Sequence, residues 1–416
     1  MANVRKRGYW RATLLVSTML VLSACNPNRF VSGWVPYWNA TEGRAGFSSG
    51  ASTMFTDISP FFYSAKADGT VALVGSASQL NTTTHEAHIR GIKVLPTITD
   101  GSGKLVMATS ILADPALRAQ HIANIVAITS SAEVDGVDLD YEGFAFSDGH
   151  DSWTATTPVW DAFIYELAAA LHNNGKLLAV TIPPVWNAGG GNTGYVVYDQ
   201  ASIVQYVDRL RLMVYDWSVS SPGQIAPMSW LNQVIAYTNS VVSVSDRAKL
   251  QLGVASYGRD WGRQANSTEA CPDGALATKS IELQNMQALI DAHPGVTPTR
   301  VSPVDKNGEM TFTYDTVATG FRTTPIPAPP YVAPTQRAPS IPGAAIGATS
   351  GLQPALRLTP PNVQLSCTVR HFVYYPDATS IQQHAQAALN AGWSGVVIWA
   401  LGYETADVYN ALANTS

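Results

Sequence analysis

Eight short apolar, β-branched runs, most of them followed by a helical pattern, constrain this chain more than any other feature. The runs cover residues 30–35, 55–63, 93–98, 136–141, 177–182, 210–215, 250–255 and 395–399. Most are near-continuous, as expected of parallel strands buried on both faces. Helical patterns lie between them at 115–130, 160–173, 202–207, 230–240 and 380–390. Asp114 stands as an N-cap before Pro115, and Gly175 and Gly392 fall just past helix ends. Eight strands alternating with helices predict an α/β fold, a closed (β/α)8 TIM barrel. A doubly wound open sheet is the alternative. Against it, the first run leads into Trp34-Val35-Pro36-Tyr37-Trp38, with no Gly-x-Gly-x-x-Gly.

The spacing breaks once, between runs seven and eight, over residues 262–376. This segment holds a helical pattern at 280–293, a strand-like stretch at 310–314 and a Pro-rich stretch at 323–361. It reads as an α+β, Pro-rich insertion forming part of a cleft wall. The expected organisation is a signal peptide at 1–24, barrel strands one to seven at 25–261, the insertion at 262–376, and the eighth strand with terminal helices at 377–416. Cys271 and Cys367 would staple the two ends of the insertion if they pair, and free buried thiols are the alternative.

The N-terminus has the layout of an export signal. Arg5, Lys6, Arg7 and Arg11 precede an apolar run from Ala12 to Ala24, too short to span a bilayer comfortably. It ends Leu22-Ser23-Ala24-Cys25, which resembles the bacterial lipoprotein lipobox; an ordinary signal peptide containing a Cys is the other reading. Acylation of Cys25 would anchor the protein stably to the outer face of the bacterial cell membrane. The formal net charge of −5 argues against a nucleic-acid partner, which calls for a basic face.

The segment Asp135-Gly136-Val137-Asp138-Leu139-Asp140-Tyr141-Glu142 carries the strongest chemical signal. Read as strand four, it puts Asp138, Asp140 and Glu142 on one face and Val137, Leu139 and Tyr141 on the other. The apolar face suits the helix-packed outside of a barrel, so the carboxylates point inward near its C-terminal end, where barrel active sites sit. Folding alone would prefer Val or Ile here, because buried carboxyls are costly. Like charges in a low-dielectric site cannot all ionise, so at least one holds its proton near neutral pH. A protonated carboxyl is what glycosidic bond cleavage requires, and Glu142, nearest the open top, is the natural acid. The alternatives are a structural ion-pair row or a divalent metal site, but ligands strung along one strand diverge, and no His lies close in sequence. In the run 210–215, Arg211, Met213 and Tyr215 share the inward face.

The motif Asp-Gly-x-Asp-x-Asp-x-Glu at 135–142 resembles the fourth strand of glycoside hydrolase family 18, the chitinase-type enzymes. Gly33-Trp34-Val35-Pro36-Tyr37-Trp38 is similar to the family's first strand, Met213-Val214-Tyr215-Asp216 to its sixth, and Trp399 to its eighth-strand Trp. Ser256-Tyr257-Gly258-Arg259-Asp260-Trp261 and Ile398-Trp399-Ala400-Leu401-Gly402-Tyr403-Glu404 resemble the spore-cortex N-acetylglucosaminidase subgroup. One departure is Thr405, where that subgroup has an acidic residue. The resemblance implies retaining hydrolysis of β-1,4-linked N-acetylglucosamine polymers, the substrate's own acetamido oxygen forming an oxazolinium intermediate. Glu142 would be the acid and Asp140 would orient the acetamido N–H. Asp138 would support Asp140 by sharing a proton, and Tyr215 would donate to the acetamido oxygen. Trp399 would floor the sugar, with Met213, Asp216, Trp34, Tyr37 and Tyr257 in the binding site. Asp135 and Gly136 complete the motif structurally.

No cofactor or metal is implied. The expected partners are an N-acetylglucosamine-containing polysaccharide and, through the anchor, a membrane; the protein is expected to act as a monomer. An anchor beside the wall favours peptidoglycan over chitin. A sugar-binding protein on an inactive barrel and an endoglycosidase trimming N-linked glycans are alternatives. His85 and His88 read as a solvated helix face rather than metal ligands. Trp38 and Trp261 could stack on sugar or simply be buried.

Overall fold

The computed structural model of the chain describes residues 30–48, 50–101, 107–187, 193–301, 308–322 and 363–415. The segment 1–24 read as an export signal, Cys25 and the Pro-rich stretch at 323–361 lie outside the described residues.

The first barrel strand, Val31–Pro36, pairs in parallel with both the second, Phe55–Ala65, and the eighth, Gly395–Trp399. From the eighth strand the ladder passes through Leu250–Ala255, Arg209–Leu212, Leu177–Ile182 and Gly136–Asp140 to Thr97–Thr99, which pairs back to the second. The circle closes, so the barrel expectation holds and the open sheet is excluded. The third strand is split into Lys93–Val94 and Thr97–Thr99. Pro96 lies in the gap, and proline has no N–H to give a ladder.

Asp114 caps Pro115–Ile128 by accepting from the N–H groups of Ala116 (2.8 Å) and Leu117 (3.0 Å). Gly175 and Gly392 take the left-handed conformation at φ 66° and 84°. The helical stretch expected at 202–207 is only the short turn Gln200–Ile203, while that expected at 160–173 begins earlier, as Trp153–His172. Helix Ala40–Ser48 was not expected, its sequence carrying too weak an apolar stripe, whereas Ala77–His88 is the helix on which His85 and His88 were read.

The barrel's middle is polar where it could have been aliphatic. Arg211 is fully buried there, and its guanidinium ion-pairs with Asp57 and, at 2.8 Å, with Asp138. It also donates to Ser59 Oγ at 2.6 Å and Gln251 Oε1 at 3.0 Å.

Between strands seven and eight an antiparallel five-stranded sheet is inserted. Its strands are Tyr257–Gln264, Thr278–Glu282, Thr299–Arg300, Met310–Arg322 and Val363–Tyr375. It starts at Tyr257, directly after the seventh barrel strand and ahead of residue 262, because Tyr257–Gln264 pairs with Val363–Tyr375. The stretch expected at 310–314 is the start of a 13-residue strand, whose alternating exposure hid it from an apolar-run reading. Helix Leu283–Asp291 packs through Met286 on Phe312 and Val373. Cys271 and Cys367 are disulfide-bonded across a sequence separation of 96, with their Cα atoms 5.0 Å apart.

Candidate active site

The fourth strand positions the acidic row. Val137, Leu139 and Tyr141 are fully buried on its outer face, and Asp138 and Asp140 face the barrel interior. The strand ends at Asp140. Glu142 lies just past it, with φ −102° and ψ −10°, at the head of the short helix Gly143–Phe146. Its side chain therefore reaches the groove from a turn rather than from the strand. Gly136 is obligatory, since a Cβ there would sit 2.1 Å from Leu177 O. Asp135 faces away from the interior: its carboxylate accepts Val94 N–H at 2.8 Å and lies 2.9 Å from His88 Nε2. His85 lies 3.0 Å from Glu133.

Asp138 is fully buried and held by four donors. Trp34 Nε1 (2.7 Å), Thr97 Oγ1 (3.0 Å) and Arg211 Nη1 (2.8 Å) reach one oxygen, and Thr181 Oγ1 (2.8 Å) the other. Asp140 Oδ1 is buried with no hydrogen-bond partner. Burial, then the charges of Glu142, Asp138 and Asp100, push the Asp140 carboxyl well above its ordinary range, against the pull of Arg211. Burial, reinforced by Asp100 and Asp216, pushes Glu142 up to about 7. Glu142, at about 7, is thus poised to hold a proton near neutrality, and Asp140 is shifted in the same direction.

Sequence reasoning missed Asp100. It follows the third strand, and its Oδ2 accepts Gly143 N–H at 2.6 Å, bracing the turn that carries Glu142. Burial raises its carboxyl to about 6. A lone Asp after a short strand looks like a turn residue, and no local signal distinguishes it.

Glu142 stands where several lobes of one groove meet. A lobe of about 310 Å³ contains Trp34, Asp140, Met213, Tyr215, Tyr257 and Trp399. Trp399 lies edge-on to Phe61 (5.1 Å between centroids) and Trp34 (5.8 Å). Burial, first, raises the Tyr215 hydroxyl well above its ordinary value, keeping it a donor. Asp216, at a left-handed φ of 60°, accepts from the Tyr257 hydroxyl and from Arg259 Nη2 at 2.7 Å. Arg259 thus pairs with Asp216, and Asp260 with His371 at 2.8 Å, rather than with each other. A smaller lobe continues past Trp38, Arg259, Glu282 and Tyr403. On the other side of Glu142 a lobe of about 600 Å³ is walled by Trp186, Tyr195, Trp217 and Trp230. Nothing local in the sequence places these four rings together.

Tyr37 does not line these lobes. Its ring packs edge-on against Trp38 (4.9 Å) and Phe62 (6.2 Å), and Trp38, half exposed, takes the groove position instead. Trp261 is fully buried and donates to Val219 O. Glu404 is buried, accepting from Gly402 N–H at 2.9 Å and from the Tyr409 hydroxyl, and braces the chain after strand eight. Among the described residues no three His, Cys, Asp or Glu side chains converge as a metal site.

The model of the glycosyl hydrolases family 18 matches residues 33–404. "Putative sporulation-specific glycosylase YdhD" of Bacillus subtilis (strain 168) is 26% identical over 214 residues, 50% of this chain and 46% of that protein. The chain spans about half the length of the curated relatives it matches. Two solved structures show the same fold. A chitinase from Chromobacterium violaceum ATCC 12472 superposes with a TM-score of 0.65 at 20% identity, covering 92% of this chain and 98% of that one. The spore cortex-lytic enzyme SleL of Bacillus megaterium QM B1551 gives 0.66 at 16% identity, covering 93% and 74%.

Proposed function

We propose that this chain, which belongs to glycosyl hydrolase family 18, cleaves β-1,4-linked N-acetylglucosamine polymers with retention of configuration. One observation carries the reading: a carboxyl pushed up to about 7, Glu142, stands at the meeting point of the groove's lobes beside Asp140, whose buried Oδ1 has no hydrogen-bond partner. An N-acetylglucosamine ring laid over Trp399 puts its acetamido group toward Asp140 and Tyr215. Asp140 accepts the acetamido N–H, which gives its buried oxygen the partner it lacks. Tyr215 donates to the acetamido oxygen. Glu142 gives its proton to the glycosidic oxygen as the acetamido oxygen attacks the anomeric carbon from the other face. The C–O bond to the leaving sugar breaks and a cyclic oxazolinium forms. The Glu142 carboxylate then takes a proton from water, whose oxygen opens the oxazolinium at the anomeric carbon and regenerates the acid. Two displacements give net retention. Asp138, pinned by its four donors, supports Asp140 from below.

For the natural polymer we favour peptidoglycan over chitin. The support is the lipobox-like Leu22-Ser23-Ala24-Cys25, since acylation of Cys25 would hold the protein at the outer face of the cell membrane, beside the wall. The test is to incubate the soluble protein, begun after Cys25, with purified peptidoglycan and with chitin oligomers, and to identify the new reducing sugar by mass. N-acetylglucosamine at the new end, formed faster from peptidoglycan, is expected. N-acetylmuramic acid there would contradict the glucosaminidase assignment, and no cleavage of either substrate would overturn the hydrolase reading.

A further inference from the structure

The largest lobe of the groove depends on a loop that the barrel alone does not hold. Trp217, Val219 and Ser220 form part of its wall. They belong to the segment between the sixth strand and helix Met228–Val241, pinched shut by Trp217 N–H donating to Ile225 O at 2.9 Å. Within it a Cβ on Gly223 would sit 2.4 Å from Ser218 Oγ, so the segment has little slack.

The inserted sheet grips this loop from behind. Trp261 Nε1 donates to Val219 O at 2.8 Å and Arg263 Nη2 to Ser220 O at 2.6 Å. At the base of the loop the grip is a carboxylate. Glu309 is 1% exposed, and its two oxygens accept Ile225 N–H at 2.7 Å and Ala226 N–H at 2.6 Å. Its own N–H donates to Gln224 Oε1 at 3.3 Å. Both carboxylate oxygens are met by backbone N–H groups rather than by a cation, an arrangement folding alone would not favour. Burial raises the Glu309 carboxyl to about 7, against the pull of those two N–H groups. Glu309 does not touch the groove, so anything it does for the groove goes through the loop.

We propose that Glu309 is a specificity-determining positioning residue: by holding Ile225 and Ala226 it fixes the loop that shapes the leaving-group side of the groove, and so sets how well long saccharides bind there. This rests on the glycosidase reading, in which the sugar over Trp399 keeps its reducing carbon at Glu142 and the departing sugars extend into the lobe walled by Trp217.

The experiment compares Glu309→Gln with the parent protein on two probes. One is the N-acetylglucosamine hexamer. The other is a chitobiosyl fluoride, whose leaving group is a single atom and leaves the lobe empty. The amide side chain cannot accept both N–H groups, so Ile225 and Ala226 should exchange their amide hydrogens about tenfold faster, the scale of one lost hydrogen bond in a buried site. The KM for the hexamer should rise by a similar factor with kcat changing less, and kcat/KM for the fluoride should stay at the parent value. Arg263→Met, which removes the Ser220 contact together with a local bond to Gly262 O, should move hexamer KM in the same direction and serves if Glu309→Gln does not fold. Unchanged exchange with unchanged hexamer KM would overturn the proposal, and so would equal losses on both probes, which would make Glu309 a general support. If the parent cleaves neither these probes nor peptidoglycan, the glycosidase reading falls, whereas the exchange comparison still decides whether Glu309 holds the loop.

Discussion

Arg211→Met is expected to destabilise the barrel by about 3–5 kcal/mol, the cost of removing one partner from a buried ion pair. Arg211 is fully buried and is the cation that both Asp57 and Asp138 face inside the barrel. Methionine fills much of the same volume but leaves two carboxylates without that cation. Some compensation survives. Asp57 keeps Arg209 Nε at 3.7 Å, and Asp138 keeps Trp34, Thr97 and Thr181. The lower end of the range is therefore expected. At roughly 2 °C per kcal/mol for a domain this large, the melting temperature should fall by about 6 °C. Thermal unfolding of both proteins, followed by far-ultraviolet circular dichroism, measures this. A variant that melts with the parent would refute the reasoning.

Asp100→Asn keeps an oxygen for Gly143 N–H but removes a negative charge that helps hold the proton on Glu142. Glu142 must be protonated to act as acid, so activity is lost as pH rises through its value of about 7. Removing the Asp100 charge lowers that value, and the alkaline limb of kcat/KM should move to lower pH; an unmoved or raised limb would contradict the coupling. The double variant Cys271→Ser, Cys367→Ser opens a loop spanning 96 residues and should lose up to about 4–5 kcal/mol in the chain-entropy model. Denaturant unfolding checks this, and an unchanged midpoint would show that the sheet does not need the bridge.

The barrel was legible because its strands are buried on both faces and read as continuous apolar runs. The acidic row was legible because three carboxyls at alternate positions in such a run have no folding rationale. Other features depend on partners far away in sequence. Arg211 could be assigned to the inward face of its run, but its contact with Asp57 spans 154 residues and nothing local names it. The inserted strand Met310–Arg322 alternates half-buried and exposed residues, and so falls below an apolar-run criterion after its first few positions. Tyr37 and Trp38 are adjacent in sequence, and only the packing of Tyr37 against Phe62 decides which ring faces the groove. The turn at Glu142 was hidden because a strand's end is set by where its neighbours stop pairing, and the ladder to the fifth strand stops at Asp140.

The most direct measurement is the turnover of N-acetylglucosamine hexamer by Glu142→Gln beside its affinity for the same oligomer by calorimetry. A neutral amide of the same shape keeps the groove but cannot deliver a proton. Binding should stay at the parent level while kcat falls by about a hundred- to ten-thousandfold. Parent-like kcat in that variant would mean that the proton comes from another group and that the acidic row is not the catalytic centre.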